Sequence, residues 1–254
     1  EPYHRELITY EAPYLDNLPT APREKFAANI AAIQKLKEIE QRVANGGSPA
    51  FEDEQRILAQ YTGWGGLSDA FDPNKSAWSN EYSQLKAALS ESEYEAARSS
   101  TLTAFYTPAT VIHPIYRALE RFGVKGGKIL EPSMGTGAFL AHGHFGSSDA
   151  KFYGVELDSI TGRISKQLYQ KANIQVTGYE NALLPDNYFD CVIGNVPFGN
   201  FQVNDPQYNR LHFPIHDYFF AKSIDKLRTG GIMAFITSSG TLDKKDDRAR
   251  KYIA

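Results

Sequence analysis

The sequence has a single cysteine in 254 residues, Cys191, and it lies inside an apolar run. An internal disulfide is therefore excluded, as are zinc sites built on cysteine, and the usage suits a reducing, cytoplasmic setting. An excess of either charge is also missing. Lys and Arg number 27 against 30 Asp and Glu, for a net charge of −3. No global positive field announces a polyanion, so any nucleic-acid contact has to come from local patches. No run approaches the ~20 apolar residues of a membrane-spanning helix, no signal-peptide pattern opens the chain, and no repeat or low-complexity tract is present. The initiator methionine is missing, and the chain stops at "RARKYIA" within a helix-like stretch. It reads as a piece of a longer polypeptide. What is present is an ordinary globular composition, 42% hydrophobic and 22% charged, enough for one large or two small cores.

Residues 1–100 read as an extended arm followed by a helical region. In "REKFAANIAAIQKLKEIEQRV", Phe26, Ile30, Ile33 and Val43 fall at helical spacing with charges between them. "NGGSPAF" breaks that helix, and Ser48 with Pro49 suits the cap and first turn of the next. "YTGWGGLSDAFDP" is a loop dense in glycine and aromatics, with Trp64 either an anchor between helices or part of a lid. Ser90 with Glu93 forms a capping box. From residue 101 to 254 the pattern changes. A helix capped by Thr107, with Pro108 at its first position, is followed by short apolar runs alternating with helices: KIL, KFYGVEL, IQV, FDCVIGN and GIMAFIT. That alternation predicts an α/β fold with a doubly wound, mostly parallel sheet.

The first strand runs into a glycine turn in "KILEPSMGTGAFL". Glycines allow close backbone approach to a ligand, and the helix start offers free N–H groups. The third glycine of the dinucleotide fingerprint is missing, since Leu140 stands there, and Glu131 closes the strand. A carboxylate repels a pyrophosphate and attracts an ammonium or sulfonium. The turn therefore suits S-adenosylmethionine better than a nicotinamide dinucleotide. The second strand ends in Glu156 and Asp158, and Glu156 comes 19 residues after Gly137, near the usual gap to a ribose-binding acid. The third strand ends near Glu180 and Asn181. These can bind an adenine amino group, Glu180 being preferred, or cap a turn.

The fourth strand ends in "IGNVPFG". If the strand order is 3-2-1-4-5, the switch point lies between the first and fourth strands, and Gly135 and Asn195 face one pocket. An exocyclic aromatic amine is a poor nucleophile because its lone pair is delocalised into the ring. Two acceptors on its N–H bonds favour a pyramidal nitrogen and stabilise the charge that develops. The Asn195 side-chain oxygen and a nearby carbonyl can supply both. Phe198 can stack on a base taken out of its duplex. The alternative is a plain Asn-Val-Pro turn over a core phenylalanine.

Taken in order, "FYTP", "EPSMGTGAFL", "GVELD" and "FDCVIGNVPFG" resemble the S-adenosylmethionine-dependent N6-adenine DNA methyltransferases whose cofactor motif precedes the Asn-Pro-Pro-Tyr/Phe motif. "YTGWGGLSDAFD", "GVELDSITGRI" and "HDYFFAKSIDKLRTGGIMAFITSSGTLDK" are similar to the methylase domains of very large phage and mobile-element proteins that also carry helicase segments. The resemblance implies a methyltransferase domain over 101–254 acting on double-stranded DNA, with the rest of a larger polypeptide as partner and neither membrane nor metal. It implies that Tyr106, Thr107 and Pro108 flank the cofactor's methionine part. Glu131 and the Gly135–Gly137 turn, with Ser133 in it, would hold the amino-acid end, and Glu156, followed by Leu157, the ribose. Asn195, the Val196 carbonyl, Pro197 and Phe198 would hold the target adenine. The chain departs from the family where Val196 replaces proline, which keeps the carbonyl and loses the fixed φ. It also ends soon after the fifth strand, so the last two strands of the usual seven and the target-recognition region are expected to be absent. The same Asn-Pro geometry also serves methylation of RNA or of a protein glutamine, and a non-catalytic cofactor- or DNA-binding module is the reading from another class.

Several features lie outside this set. His142 and His144 stand two apart, as metal ligands lacking identified companions or as a solvated helix end. Asp217 reads as a cap or loop contact. Lys244, Lys245 and Arg248 are either DNA contacts or part of a solvated helix start. The long polar loop after Asn195 either covers a flipped base or is a surface excursion.

Overall fold

The computed structural model describes residues 7, 18–101, 107–143, 149–238 and 243–254. The chain divides into two compact units, Glu1–Tyr106 with Asp158–Lys171, and Thr107–Leu157 with Ala172–Ala254.

The first unit contains helices α1 (Pro22–Ala44), α2 (Glu52–Leu58), α3 (Ser79–Ala88) and α4 (Glu91–Ser100). The stripe of α1 that is buried comprises Phe26, Ile30, Ile33, Leu36 and Ile39, while Val43 is exposed, contrary to the periodicity reading. The last turn of α1 has a different task. Arg42 donates to the carbonyls of Ser48 and Pro49 and grips Glu54 through two nitrogens at 2.7 and 2.6 Å. Those captured carbonyls explain why α2 begins at Glu52 rather than after Ser48. Trp64 is buried and meets Phe26, Tyr61 and Phe71 edge-on, with ring centroids 6.1, 6.4 and 5.4 Å away. It anchors the helical core. Buried Asn29 accepts from Thr62 N–H at 2.8 Å and donates to the Gly63 carbonyl at 2.6 Å, which satisfies the polar backbone of the loop before Trp64.

This unit also takes in α7 (Ser159–Leu168), which lies between two strands in sequence. Arg163 forks onto Glu40 at 2.7 and 2.6 Å and reaches Glu93 at 2.7 Å. Buried Gln55 donates to the carbonyls of Gln167 and Leu168. Burial alone would raise the Glu93 carboxyl, but the Ser90 N–H and the Arg163 guanidinium outweigh it and hold the group at about 2. A depressed carboxylate contributes stability above its ordinary range and loses it as pH falls through the folded value. Melting of this unit is therefore expected to weaken from near pH 4.5 down to about 2. An Arg163→Ala variant should be destabilised at neutral pH by about 1–3 kcal/mol and show a shallower acid limb in thermal scans. A parallel acid limb would sink the assignment.

The second unit contains α5 (Ala109–Arg121), β1 (Lys128–Glu131), α6 (Ala138–His142), β2 (Lys151–Glu156), β3 (Asn173–Val176), β4 (Phe189–Asn195), α8 (Ile215–Lys226), β5 (Leu227–Ile236) and α9 (Arg248–Ile253). The sheet has the order β3-β2-β1-β4-β5, and its pairings are parallel. Both faces are covered. Ile129, Cys191 and Ile193 pack with Ile112, Tyr116 and Leu119 of α5 and Phe139 of α6. Leu130 and Val192 pack on the other face with Tyr218, Phe219 and Ala221 of α8 and Ala249 of α9. Alternate strand residues thus face opposite layers, the period of two that a doubly wound sheet requires. Cys191 is enclosed, and burial pushes its thiol up to about 12. It is a core residue. The start of α5 differs by one position from the sequence reading, with Pro108 in the cap position and extended.

Candidate active site

The carboxyl ends of β1, β2 and β4 bring most of the expected residues together. After Glu131 the backbone turns through Ser133, Met134, Gly135 and Gly137. Gly135 and Gly137 have φ of 54° and 80°, a region open to glycine at little cost. Gly137 then caps α6. The turn is pinned from beneath. Met134 N–H donates to the Val155 carbonyl at 3.0 Å. The Met134 side chain lies over Gly154, where any Cβ would overlap its sulfur. Met134 is a positioning residue that sequence reasoning missed, and the glycine inside β2 was its only signal.

Glu131 is 2% exposed, and its Oε2 has no hydrogen-bond partner among the described residues. Burial raises its carboxyl well above the ordinary range, and the charge of Glu156 adds to this. Glu156 Oε2 accepts from Gly135 N–H at 2.8 Å, so the acid at the end of β2 is already oriented by the turn. Leu157 follows it with its side chain 76% exposed. The Asp158 carboxylate caps α7, with Oδ2 accepting from Thr161 N–H and Oγ1. Beyond β3, Glu180 and Asn181 form a 3₁₀ turn. Glu180 Oε1 accepts from Asn181 Nδ2 at 3.1 Å, so the two side chains are partnered with each other. Ser133 is half-buried in the turn.

Asn195 ends β4, and its Nδ2 donates to Thr107 Oγ1 at 3.3 Å. No described residue donates to Asn195 Oδ1. Thr107 thus stands beside the asparagine rather than capping α5. Gly194, one residue earlier, has its backbone against Glu131: a Cβ there would lie 3.3 Å from Glu131 Cγ. The two strand ends on either side of the switch point are in direct apposition. Val196 N–H donates to the Ile236 carbonyl at 3.1 Å, and its side chain is buried in the core with Leu130 and Tyr179. Pro197 is half-buried, and Phe198 is 56% exposed. Tyr106 lies outside the described residues.

The remaining expectations divide. His142 is buried, its ring edge-on to His113 at 5.3 Å, so it is not a solvated helix end. His144 lies outside the described residues, and no cluster of three or more potential metal ligands occurs among the described residues. Asp217 is a loop contact and not a cap. It pairs with Lys244, which is thereby withdrawn from the DNA-contact list. Arg248 is held by Asp246 and the Leu211 carbonyl. The loop after Asn195 is tied down. Buried Asp205 accepts from Tyr218 and Lys222, each at 2.8 Å, and Tyr208 donates to Asp225 at 2.7 Å. No helix of the described residues is long and apolar enough to cross a membrane.

The Eco57I restriction-modification methylase family matches residues 70–254. The chain belongs to that family. The "Defense against restriction protein B" of Escherichia phage P1 is 28% identical over 238 residues, covering 92% of this chain and 9% of that protein. The modification methylase CviBIII of Paramecium bursaria Chlorella virus NC1A is 31% identical over 140 residues, covering 53% of this chain and 37% of that protein. The chain thus spans under half the length of either relative. A Listeria monocytogenes structure provisionally described as a class I S-adenosylmethionine-dependent methyltransferase has a TM-score of 0.49 at 16% identity, covering 89% of this chain and 77% of that one.

Membership in the Eco57I methylases makes S-adenosylmethionine the cofactor. The residues present fit it. A buried carboxylate oxygen without a partner among the described residues, beside a glycine turn with left-handed backbone, has the chemistry to accept an ammonium group. The exposed Leu157 offers an apolar face next to the oriented Glu156.

Proposed function

We propose that this domain methylates the exocyclic N6 of adenine in double-stranded DNA, on a base flipped out of the duplex. The observation that supports the reading is the apposition of Glu131 and Gly194, which would put a cation-seeking cofactor pocket next to an acceptor on Asn195. Glu131, Ser133, Gly135 and Gly137 hold the amino-acid end of S-adenosylmethionine, Glu156 the ribose, and Leu157 and Glu180 the adenine side. When bound, the cofactor supplies an electrophilic methyl group on a sulfonium.

The chain's own residues prepare the amine. Asn195 Oδ1 and the Val196 carbonyl accept its two N–H bonds, which draws the lone pair out of the ring and stabilises the developing positive charge. Thr107 takes the amide nitrogen of Asn195 and so keeps Oδ1 turned to the base. Phe198 offers its exposed ring as a stacking surface. No strong general base is needed, because the proton leaves after the nitrogen has become cationic. The test is transfer of labelled methyl from S-adenosylmethionine by the full-length protein to duplex DNA, RNA and protein, followed by nucleoside analysis. Label on N6-methyladenine in DNA is expected, and label on RNA or protein alone would overturn the reading.

On this reading Val196 has two roles, a carbonyl for the base and a side chain that is buried in the core. A Val196→Pro variant keeps the carbonyl and loses the N–H bond to Ile236. Methyl transfer is expected to fall by less than about tenfold, while stability drops by about 1–3 kcal/mol. Turnover and thermal melting measured on the same preparation separate the two effects. Complete loss of turnover in a folded variant would count against the carbonyl role.

A further inference from the structure

Beyond Phe198 a second phenylalanine stands uncovered three residues on. Phe201 is 55% exposed. Its place is well determined by its surroundings. The Phe201 carbonyl accepts from Ile215 N–H at 2.9 Å, tying it to the first residue of α8. Its ring lies against Gly199, where a Cβ would come within 2.9 Å of it. The downstream loop is fastened through Asp205 to Tyr218 and Lys222. Leaving a phenyl ring in water forgoes about 1.5–3 kcal/mol of burial. Two rings so placed on one short, tied segment after Asn195 call for planar apolar partners. Nucleobases are such partners, and base–aromatic stacking contributes about 1–3 kcal/mol per base.

Building on the base-flipping reading above, we propose that Phe201 is a wedge. Phe198 receives the extruded adenine, and Phe201 enters the duplex at the space it leaves, stacking on the bases that flank the gap. Removing a base from the stack costs a few kcal/mol, least at a mismatch, and an inserted apolar side chain recovers part of it. Phe201 then acts on flipping and not on the methyl-transfer step. The test uses the full-length protein with S-adenosylmethionine and two duplexes, one fully paired and one with the target adenine mismatched, plus 2-aminopurine at the target position to report extrusion. Phe201→Ala is expected to lower the 2-aminopurine signal and turnover on paired DNA by about tenfold or more, and to recover to within about threefold of wild type on the mismatch. Phe201→Trp should retain activity on both. Equal loss on both duplexes, or none on either, overturns the wedge. Failure of the wild-type protein to methylate either duplex overturns the DNA reading itself, so the two failures are distinct.

Discussion

Asn195→Ala should reduce turnover on DNA by on the order of 100- to 1,000-fold, the usual effect of deleting one preorganised partner of a developing charge. The affinity for S-adenosylmethionine should change little, because the proposed role of the side chain is toward the base and not the cofactor. The two ends of the Asn195 amide have different surroundings. Nδ2 is engaged by Thr107 at 3.3 Å, and Oδ1 receives no hydrogen bond from a described residue. Alanine removes the acceptor and leaves the strand intact, since the backbone of β4 pairs with β5 through Asn195 and Ile236. Single-turnover kinetics with saturating DNA would isolate the step. Wild-type single-turnover rates in a folded Asn195→Ala protein would remove the asparagine from the chemistry.

Glu131→Gln should weaken cofactor binding and yet make the ligand-free protein more stable. Binding is expected to fall by about 10- to 100-fold, because the ammonium loses a charge-assisted partner inside a buried site. The stability gain follows from the same burial. Glu131 is enclosed with one oxygen unpartnered, and burial, reinforced by Glu156, raises its carboxyl. A group raised in the folded state contributes stability below its unfolded value and loses it as pH rises toward the folded one. Each pH unit across that window costs the folded state about 1.4 kcal/mol, and glutamine has no such term. The melting gap between the variant and wild type should therefore widen as pH rises above about 4.5. Cofactor binding to wild type should also release a proton, readable by calorimetry in buffers of different ionisation enthalpy. A variant that binds as tightly as wild type would place the ammonium elsewhere.

The chemistry of the site was more legible in the residues than its supports were. Glu131, the two glycines, Glu156 and Asn195 all fall at strand ends, and strand ends are readable from short apolar runs closed by polar residues. Their supports come from elsewhere in the chain. Met134 needs a glycine on the neighbouring strand, Asn195 a threonine before α5, and the loop after it a buried aspartate held by α8. Of these pairings only the glycine inside β2 leaves a trace in the sequence, and it does not say which side chain fills the space. Lys244 shows the same limit from the other side: in sequence it is one more surface cation, and in the fold it pairs with buried Asp217.

The sequence by itself determined the α/β class, the five strand runs and the resemblance to DNA methylases, while the order β3-β2-β1-β4-β5 came from the structure. Those properties depend on local apolar runs, on turn residues and on the rule that ligands gather where strand order reverses. Only the tertiary structure decided that α7 packs with the N-terminal helices, that Val43 stays outside, and that Glu131 is shut in with an unsatisfied oxygen. It alone left Phe201, three residues after Phe198, uncovered. The physical reason is common to all four. Burial depends on what the rest of the chain brings into contact, and Arg163 meeting Glu40 from 123 residues away has no local pattern to announce it.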